Sequence, residues 1–170
     1  MDEGLLLLRL LLGLTMAAHG AQKLFGWFGG GGPAGTGAFF ASLGYRSPAV
    51  FAVLAGLAEL LGGLSLAAGF LVPLAAAAIV VVMLNAIESV KFRGGFFAGN
   101  GGYEFELLIL GTAVALAATG PGKYSLDHAI GWDDELSGYA WGGAALAAGI
   151  VVAFVTTSWG RGEPDLTELG

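Results

Sequence analysis

The sequence contains no cysteine among its 170 residues. This absence excludes disulfide cross-links, thiol relay chemistry, thiolate-bound zinc and cysteine-ligated iron–sulfur clusters. Any electron transfer that involves this protein must therefore use a bound cofactor or a partner protein. The sequence also has no Ser/His/Asp set, phosphate-binding loop, zinc-ligand spacing or dinucleotide fingerprint. Nothing in it resembles a self-sufficient catalyst, and whether the protein is an enzyme at all is left open.

Charged residues are scarce as well. They make up 12% of the chain, against about 25% in soluble domains. Hydrophobic residues make up 56%, and the mean hydropathy is +0.78. The formal net charge of -6 argues against nucleic acid as a partner and against docking on anionic lipid through a basic patch. The composition therefore indicates an integral membrane protein, with the lipid bilayer as its first partner.

Five apolar stretches are long enough for membrane-spanning helices, which need about 17–25 residues. They cover residues 5–25, 48–71, 73–89, 103–119 and 138–159. The acidic start and Arg9 do not suit a secretory signal, so the first stretch is interpreted as a retained helix. We expect an all-α integral membrane fold, a bundle of five transmembrane helices with the C-terminal fifth helix at its periphery.

Three parts of the chain are expected on this basis. Residues 1–127 form the four-helix membrane domain, residues 128–160 an acidic linker with the fifth helix, and residues 161–170 a polar tail. Within the first part, the loop 26–47 is rich in glycine and carries Phe39, Phe40 and Leu43 at helical spacing. This spacing favours a short interfacial helix on the lipid surface; the alternative is a flexible glycine linker.

Glu59 lies near the middle of the second stretch, which has no other charge from residue 49 to residue 71. An acidic side chain at a helix centre costs roughly 2.5–3.5 kcal/mol and usually faces a bundle interior or a cavity. At 1.5 Å per residue, Glu59 lies about 16 Å and His19 about 9 Å from the same membrane boundary. The expected polar pocket in that half of the bundle comprises His19, Gln22, Lys23, Glu59, Asn85, Glu88, Tyr103 and Glu104. The opposite half offers only Arg9.

Angular positions support this grouping. His19, Gln22 and Lys23 share one helix face, and Asn85 and Glu88 are three residues apart and can point together. Around Glu59, a stripe of small residues, Ala52, Gly56, Gly63 and Ala67, would let another helix approach closely. Glu104 and Glu106 cannot both face the same spot, so one of them is expected in the pocket. We predict that it is Glu104, next to Tyr103.

Four segments of the chain resemble the DoxX family. They are residues 19–26 (HGAQKLFG), 59–63 (ELLGG), 102–104 (GYE) and 120–127 (GPGKYSLD). The resemblance covers about residues 5–127 and implies a four-helix core in a cytoplasmic membrane. The family takes its name from the small subunit of a thiosulfate–quinone oxidoreductase, and other members are linked to membrane complexes that handle oxidative stress. This chain departs from the pattern by its fifth span and acidic tail.

Each pocket residue also has a structural interpretation. Glu59 can be a buried carboxylate, protonated or paired with His19 or Lys23, that holds the bundle in register. His19 can be a structural hydrogen-bonding residue, a member of a proton relay, or a metal or haem ligand. Bis-histidine haem is not expected, because the only other histidine, His128, falls in a loop on the opposite side. No metal, zinc, iron–sulfur cluster or covalently bound cofactor is expected either, since the chain lacks cysteine and zinc-ligand spacing. Lys23, Lys91 and Arg93 can simply reach towards lipid headgroups.

Three functional hypotheses follow. The first is a subunit of a quinone-linked or oxidative-stress redox complex, beside a second subunit that carries the electron cofactor. In this hypothesis the pocket holds a quinone. The second is a small-molecule or lipid carrier in which Glu59 titrates. The third is a non-catalytic scaffold. A homo-oligomer is compatible with each of them.

Lysine and arginine are distributed unevenly between the two membrane sides. Lys23, Arg46, Lys91, Arg93 and Arg161 fall on one side. Arg9 and Lys123 fall on the other. For a multi-pass protein of the plasma membrane, which the family resemblance implies, the positive-inside rule then predicts the N-terminus outside and the C-terminus in the cytoplasm.

Overall fold

A computed structural model describes residues 1–162 of the protein as an all-α bundle. The predicted polar tail from residue 163 onward lies outside the described residues. The α-helices are α1 (Asp2–Phe25), α2 (Gly32–Ser42), α3 (Pro48–Ala68), α4 (Val72–Ala86), α5 (Glu104–Thr119), α6 (Leu126–Ala129) and α7 (Tyr139–Gly160). A wider π-type turn, Ile87–Lys91, extends α4. Residues 1–162 contain no β-strand, and one isolated bridge joins Tyr45 to Arg161. The predicted all-α fold is confirmed.

The helix boundaries follow from proline and glycine. Pro48 and Pro73 stand in the first turns of α3 and α4, where a missing N–H costs nothing. Gly26 and Gly69 adopt left-handed conformations after α1 and α3, which is how helices commonly end. The predicted boundaries therefore agree closely with those of the structure.

Four helical segments among the described residues are long and apolar enough to cross a membrane: Asp2–Phe25, Pro48–Ala68, Val72–Gly94 and Tyr139–Gly160. The C-terminal helix α7 is one of the four. By contrast, α5 has 16 residues, or about 24 Å of helix, against a hydrocarbon core of about 30 Å. That α5 also crosses the membrane stays a prediction.

Each helix packs against particular neighbours. α1 lies against α3, α3 against α4, and α4 against both α5 and α7, while α2 lies across α3 and α1. The core between them is apolar and includes Met16, Leu66, Ile79, Val80 and Leu116. Exposed leucines such as Leu11, Leu61 and Leu108 point outward, as expected for a surface that faces lipid.

The bundle has two ends, which we call the loop end and the turn end. The loop end contains residues 26–47, 87–103 and 160–162; there, Arg46 N–H donates to the carbonyl of Gly160 at 2.8 Å. The turn end contains residues 1–9, 69–71 and 120–138; there, Lys123 N–H donates to Asp2 Oδ1 at 3.1 Å. The first residues of α1 and the last residues of α7 therefore lie at opposite ends of the bundle.

A candidate ligand cavity beside a buried ion pair

The centre of the site is an ion pair between α1 and α3. Lys23 Nζ lies 2.5 Å from Glu59 Oε2. The Glu59 side chain is 3% exposed, whereas that of Lys23 is 25% exposed. Glu59 therefore does not face lipid, and its partner is the lysine, one of the two candidates that the sequence left open. Ala52, Gly56, Gly63 and Ala67, the small residues predicted to flank Glu59, are all buried.

His19 and Gln22 form a second, connected unit on the same face of α1. His19 Nδ1 lies 3.1 Å from Gln22 Oε1, and Gln22 Nε2 donates to the carbonyl of Phe28 at 3.2 Å. These contacts tie the last turns of α1 to the loop that follows it. Both residues lie close in sequence to Lys23, but neither lines the cavity described next.

A cavity of about 520 Å³ lies beside the ion pair, between α2, α3, α4 and α7. Its wall is almost entirely apolar and includes Phe39 and Phe40 of α2, Leu54 of α3, Val82 of α4 and Val152 of α7. The polar side chains that line it are those of Lys23, Tyr45, Glu59, Asn85, Ser89, Lys91 and Thr156. An apolar chamber with a few convergent polar groups is the usual form of a small-molecule site.

Asn85 is the centre of the polar group on the α4 side. Its Oδ1 accepts hydrogen bonds from the Tyr45 hydroxyl at 3.3 Å and the Thr156 hydroxyl at 3.0 Å. Tyr45 is 5% exposed, and its hydroxyl also lies 3.5 Å from Ser89 Oγ. The sequence reasoning missed Tyr45, Ser89 and Thr156. One sequence signal for Thr156 was available. A threonine hydroxyl that faces lipid can bond only to its own helix, so a threonine in the apolar α7 favours a position that faces the bundle.

A second ion pair stands near the loop end of the cavity. Lys91 Nζ lies 3.7 Å from Glu106 Oε1, whose side chain is 12% exposed. The acidic residue of α5 that forms this pair is therefore Glu106, whereas the sequence reasoning had selected Glu104. Lys23 and Lys91 both pair with carboxylates, so neither is merely a lysine that reaches towards headgroups.

The structure places the remaining predicted residues elsewhere at the loop end. Glu88 is exposed and lines a separate groove with Phe92 and Phe154. Tyr103 stacks on Phe92 with ring centroids 6.2 Å apart. Glu104 follows Tyr103, and its backbone N–H donates to the carbonyl of Phe96 at 2.9 Å. Of the eight predicted pocket residues, Lys23, Glu59 and Asn85 line the cavity.

The turn end holds a polar cluster of its own, so Arg9 does not stand alone there. Arg9 is fully buried and donates from Nη2 to the carbonyl of Tyr124. The buried Asp127 carboxylate accepts from the N–H groups of Leu71 and Val72 at 2.9 and 3.3 Å. These contacts fasten the chain after α5 to the α3–α4 turn. Residues 120–127, which the sequence reasoning used only as a family motif, thus have a structural role.

Among residues 1–162, no group of three or more histidine and acidic side chains is placed to hold a metal ion. The groups that the cavity offers to a ligand are lysine ammonium, hydroxyl, amide and carboxylate. The ammonium, hydroxyl and amide groups can donate hydrogen bonds to oxygen atoms of an organic molecule, whereas the Glu59 carboxylate accepts them and can exchange a proton.

Comparison with known proteins gives two matches. The family model described as DoxX matches residues 4–92. A relative named "Putative oxidoreductase CatD", from Bacillus subtilis (strain 168), is 32% identical over 126 residues, which cover 74% of this chain and 86% of the relative. No solved structure matches the chain. The family match ends before α5, so α5, the 120–127 segment and α7 all lie outside it.

Proposed function

The chain belongs to the DoxX family, and we propose that it is a quinone-binding subunit of a redox system in the plasma membrane. A second subunit would carry the electron cofactor. The observation that carries the proposal is the apolar cavity of about 520 Å³ with the Lys23–Glu59 pair in its wall. The relative's name, an oxidoreductase, supports the same class of chemistry.

A quinone fits this cavity on chemical grounds. Its ring and isoprenoid tail are apolar and match the leucine, valine and phenylalanine side chains of the wall. Its carbonyl oxygens accept hydrogen bonds. An ammonium group has three N–H donors, and Glu59 occupies one of those of Lys23, so others remain for a ligand. Apolar pockets with a few polar groups that fix orientation are typical of such sites.

The ion pair also provides a route for protons. Reduction of a quinone to a quinol takes up two electrons and two protons. The partner subunit would supply the electrons, while Lys23 and Glu59 stand beside the cavity and can exchange protons with a bound carbonyl. General acid–base groups act over hydrogen-bonding distances, and both members of this pair line the cavity.

The test is extraction of quinone from the purified protein, followed by titration of the delipidated protein with a short-tailed benzoquinone. We expect a co-purifying quinone and saturable binding. Ala55→Phe should abolish both, because Ala55 lines the cavity. Leu61→Phe, on the same helix but 59% exposed, is the matched control and should bind as the wild type does. A quinone-free preparation that also fails to bind added quinone would contradict the proposal.

A further inference from the structure

The C-terminal helix is part of the cavity and is fastened to it at the loop end. Val152 and Thr156 of α7 line the cavity. After α7, Gly162 N–H donates to the carbonyl of Gly44 at 3.0 Å, and the Arg161 guanidinium lies 5.4 Å from the ring centroid of Tyr45. Tyr45 reaches Asn85 with its hydroxyl and also packs against Phe40 and Phe51. The α7 segment therefore supplies one group beside Asn85, Thr156, and contacts a second, Tyr45.

The hydrogen bonds of Asn85 can be counted. Nδ2 donates to the carbonyl of Val81 at 2.8 Å. This contact identifies which amide atom is the nitrogen, because two oxygens would repel each other there. Oδ1 has two lone pairs, and the hydroxyls of Tyr45 and Thr156 both lie within hydrogen-bonding distance of it. The Thr156 hydroxyl shares its single hydrogen between Asn85 Oδ1 and the carbonyl of Ala153, which lies 2.9 Å away. The amide nitrogen carries two hydrogens. One N–H therefore remains at a residue that lines the cavity, and it can only donate.

The depth of Asn85 relative to Glu59 suits a ligand with two polar groups. α3 and α4 run antiparallel, and a Cβ on Gly62 would lie 3.3 Å from the Cβ of Ala78. This register places Val81 opposite Glu59. Asn85 is four residues further towards the loop end, or about 6 Å along the axis. A ring between the two levels can direct one oxygen towards Lys23 and the other towards Asn85.

We propose that Asn85, held by Thr156 and Tyr45, donates a hydrogen bond to a second carbonyl oxygen of the ligand, so that α7 determines which ligands the cavity accepts. The inference rests on the proposed function and extends it to specificity. Thr156 acts as a positioning residue, because its hydroxyl orients the Asn85 amide. The cavity should therefore prefer a quinone over a molecule of the same shape that lacks the carbonyl oxygens.

The test compares two ligands in the full-length protein: a short-tailed benzoquinone and the matched hydrocarbon without its two oxygens. Thr156→Val should weaken quinone binding about three- to tenfold, the range for one hydrogen bond, and leave hydrocarbon binding unchanged. Thr156→Ser should restore the preference. The matched control is Thr157→Val. Thr157 is also buried in α7. Both hydroxyls bond to the carbonyl of Ala153 in their own helix, and Thr156 bonds in addition to Asn85.

Tyr45→Phe gives an independent readout if Thr156→Val does not fold, because it removes the other hydroxyl on Asn85 and should reduce the same preference. Two results would overturn the role of Asn85 even if the wild type binds quinone. One is an equal effect of Thr156→Val and Thr157→Val on quinone binding. The other is an unchanged preference for quinone over the hydrocarbon in Thr156→Val or Tyr45→Phe. A wild-type protein that binds neither ligand would overturn the proposed function, and this inference with it.

Discussion

At the scale of single residues, the two members of the Lys23–Glu59 pair are buried to different extents. The carboxylate is 3% exposed and the lysine side chain 25% exposed. A buried charge that loses its partner is costly, whereas a partly exposed one can turn towards water or headgroups. The same ion pair should therefore respond differently to the loss of each partner.

We predict that Lys23→Met destabilises the protein by about 2–4 kcal/mol, because it leaves Glu59 buried without a cation. Glu59→Gln should cost less, because the free lysine can reach a polar environment. The double variant should be more stable than Lys23→Met alone. The measurement is thermal unfolding of the four proteins in one detergent, analysed as a double-mutant cycle. Additive effects in the cycle would show that the two side chains do not interact.

The partner of Glu59 illustrates what sequence reasoning can reach at this scale. The depth of Glu59 and its nearness to His19 and Lys23 were predictable from spacing. Which of His19 and Lys23 pairs with Glu59 was not predictable, because the answer depends on the direction in which each side chain points. Helical side chains lean towards the helix N-terminus, so Lys23 reaches back to Glu59 while His19 bonds to Gln22. The same limit explains why the sequence reasoning selected Glu104 in place of Glu106. Which acidic side chain of α5 faces Lys91 depends on the rotation of α5 about its axis, and the preceding loop sets that rotation.

At the scale of helices, α1 and α3 approach each other backbone to backbone. A Cβ on Gly20 would lie 2.4 Å from the backbone nitrogen of Leu60, and one on Gly63 would lie 2.5 Å from the backbone nitrogen of Ala17. A Cβ on Gly56 would instead meet the side chain of Leu24 at 2.7 Å. Helices in membranes commonly use small residues for such close packing, and this contact brings Lys23 within reach of Glu59.

We predict that Gly20→Ala destabilises the protein by about 1–3 kcal/mol, the usual cost of overpacking. Gly56→Ala should cost less, because the Leu24 side chain can move. Gly111→Ala is the control: no atom lies within 4 Å of its added Cβ, and alanine favours a helix by about 1 kcal/mol. Thermal unfolding of the three variants checks the order. If Gly111→Ala lost as much stability as Gly20→Ala, the packing argument would be contradicted.

The helices themselves were largely predictable, because their ends carry proline and glycine signals. Where α2 packs in the bundle was not predictable. The spacing of Phe39, Phe40 and Leu43 indicated a short helix, and the structure has one at Gly32–Ser42. All three of these side chains line the cavity, and Phe39 is also 48% exposed; that this segment rests on lipid stays a prediction. Where α2 packs depends on contacts with α3 that a local pattern does not encode.

At the scale of the whole molecule, the charge distribution stays uneven after pairing is considered. Lys23 and Lys91 are paired with carboxylates, and Arg9 is buried. Arg46, Arg93 and Arg161 remain at the loop end, against Lys123 at the turn end. The positive-inside rule acts on short loops, so the loop end is still expected in the cytoplasm.

The absence of native cysteine makes this prediction simple to test with single-cysteine variants. Asn100→Cys lies in the exposed loop before α5, and Asp134→Cys in the exposed segment after it. A membrane-impermeant maleimide should label Asp134→Cys in intact cells and Asn100→Cys only after permeabilisation. Labelling of both variants from one side would show that α5 does not cross the membrane. The reverse pattern would invert the orientation.

The contacts between α7 and residues 44–46 have a consequence for how the protein is made. During synthesis, α1 to α5 leave the ribosome before α7 does. Until α7 arrives, one wall of the chamber is missing, and Tyr45 lacks its contact with Arg161. If the chamber binds a ligand as proposed, we expect loading to follow the insertion of α7, because Val152 and Thr156 complete the wall.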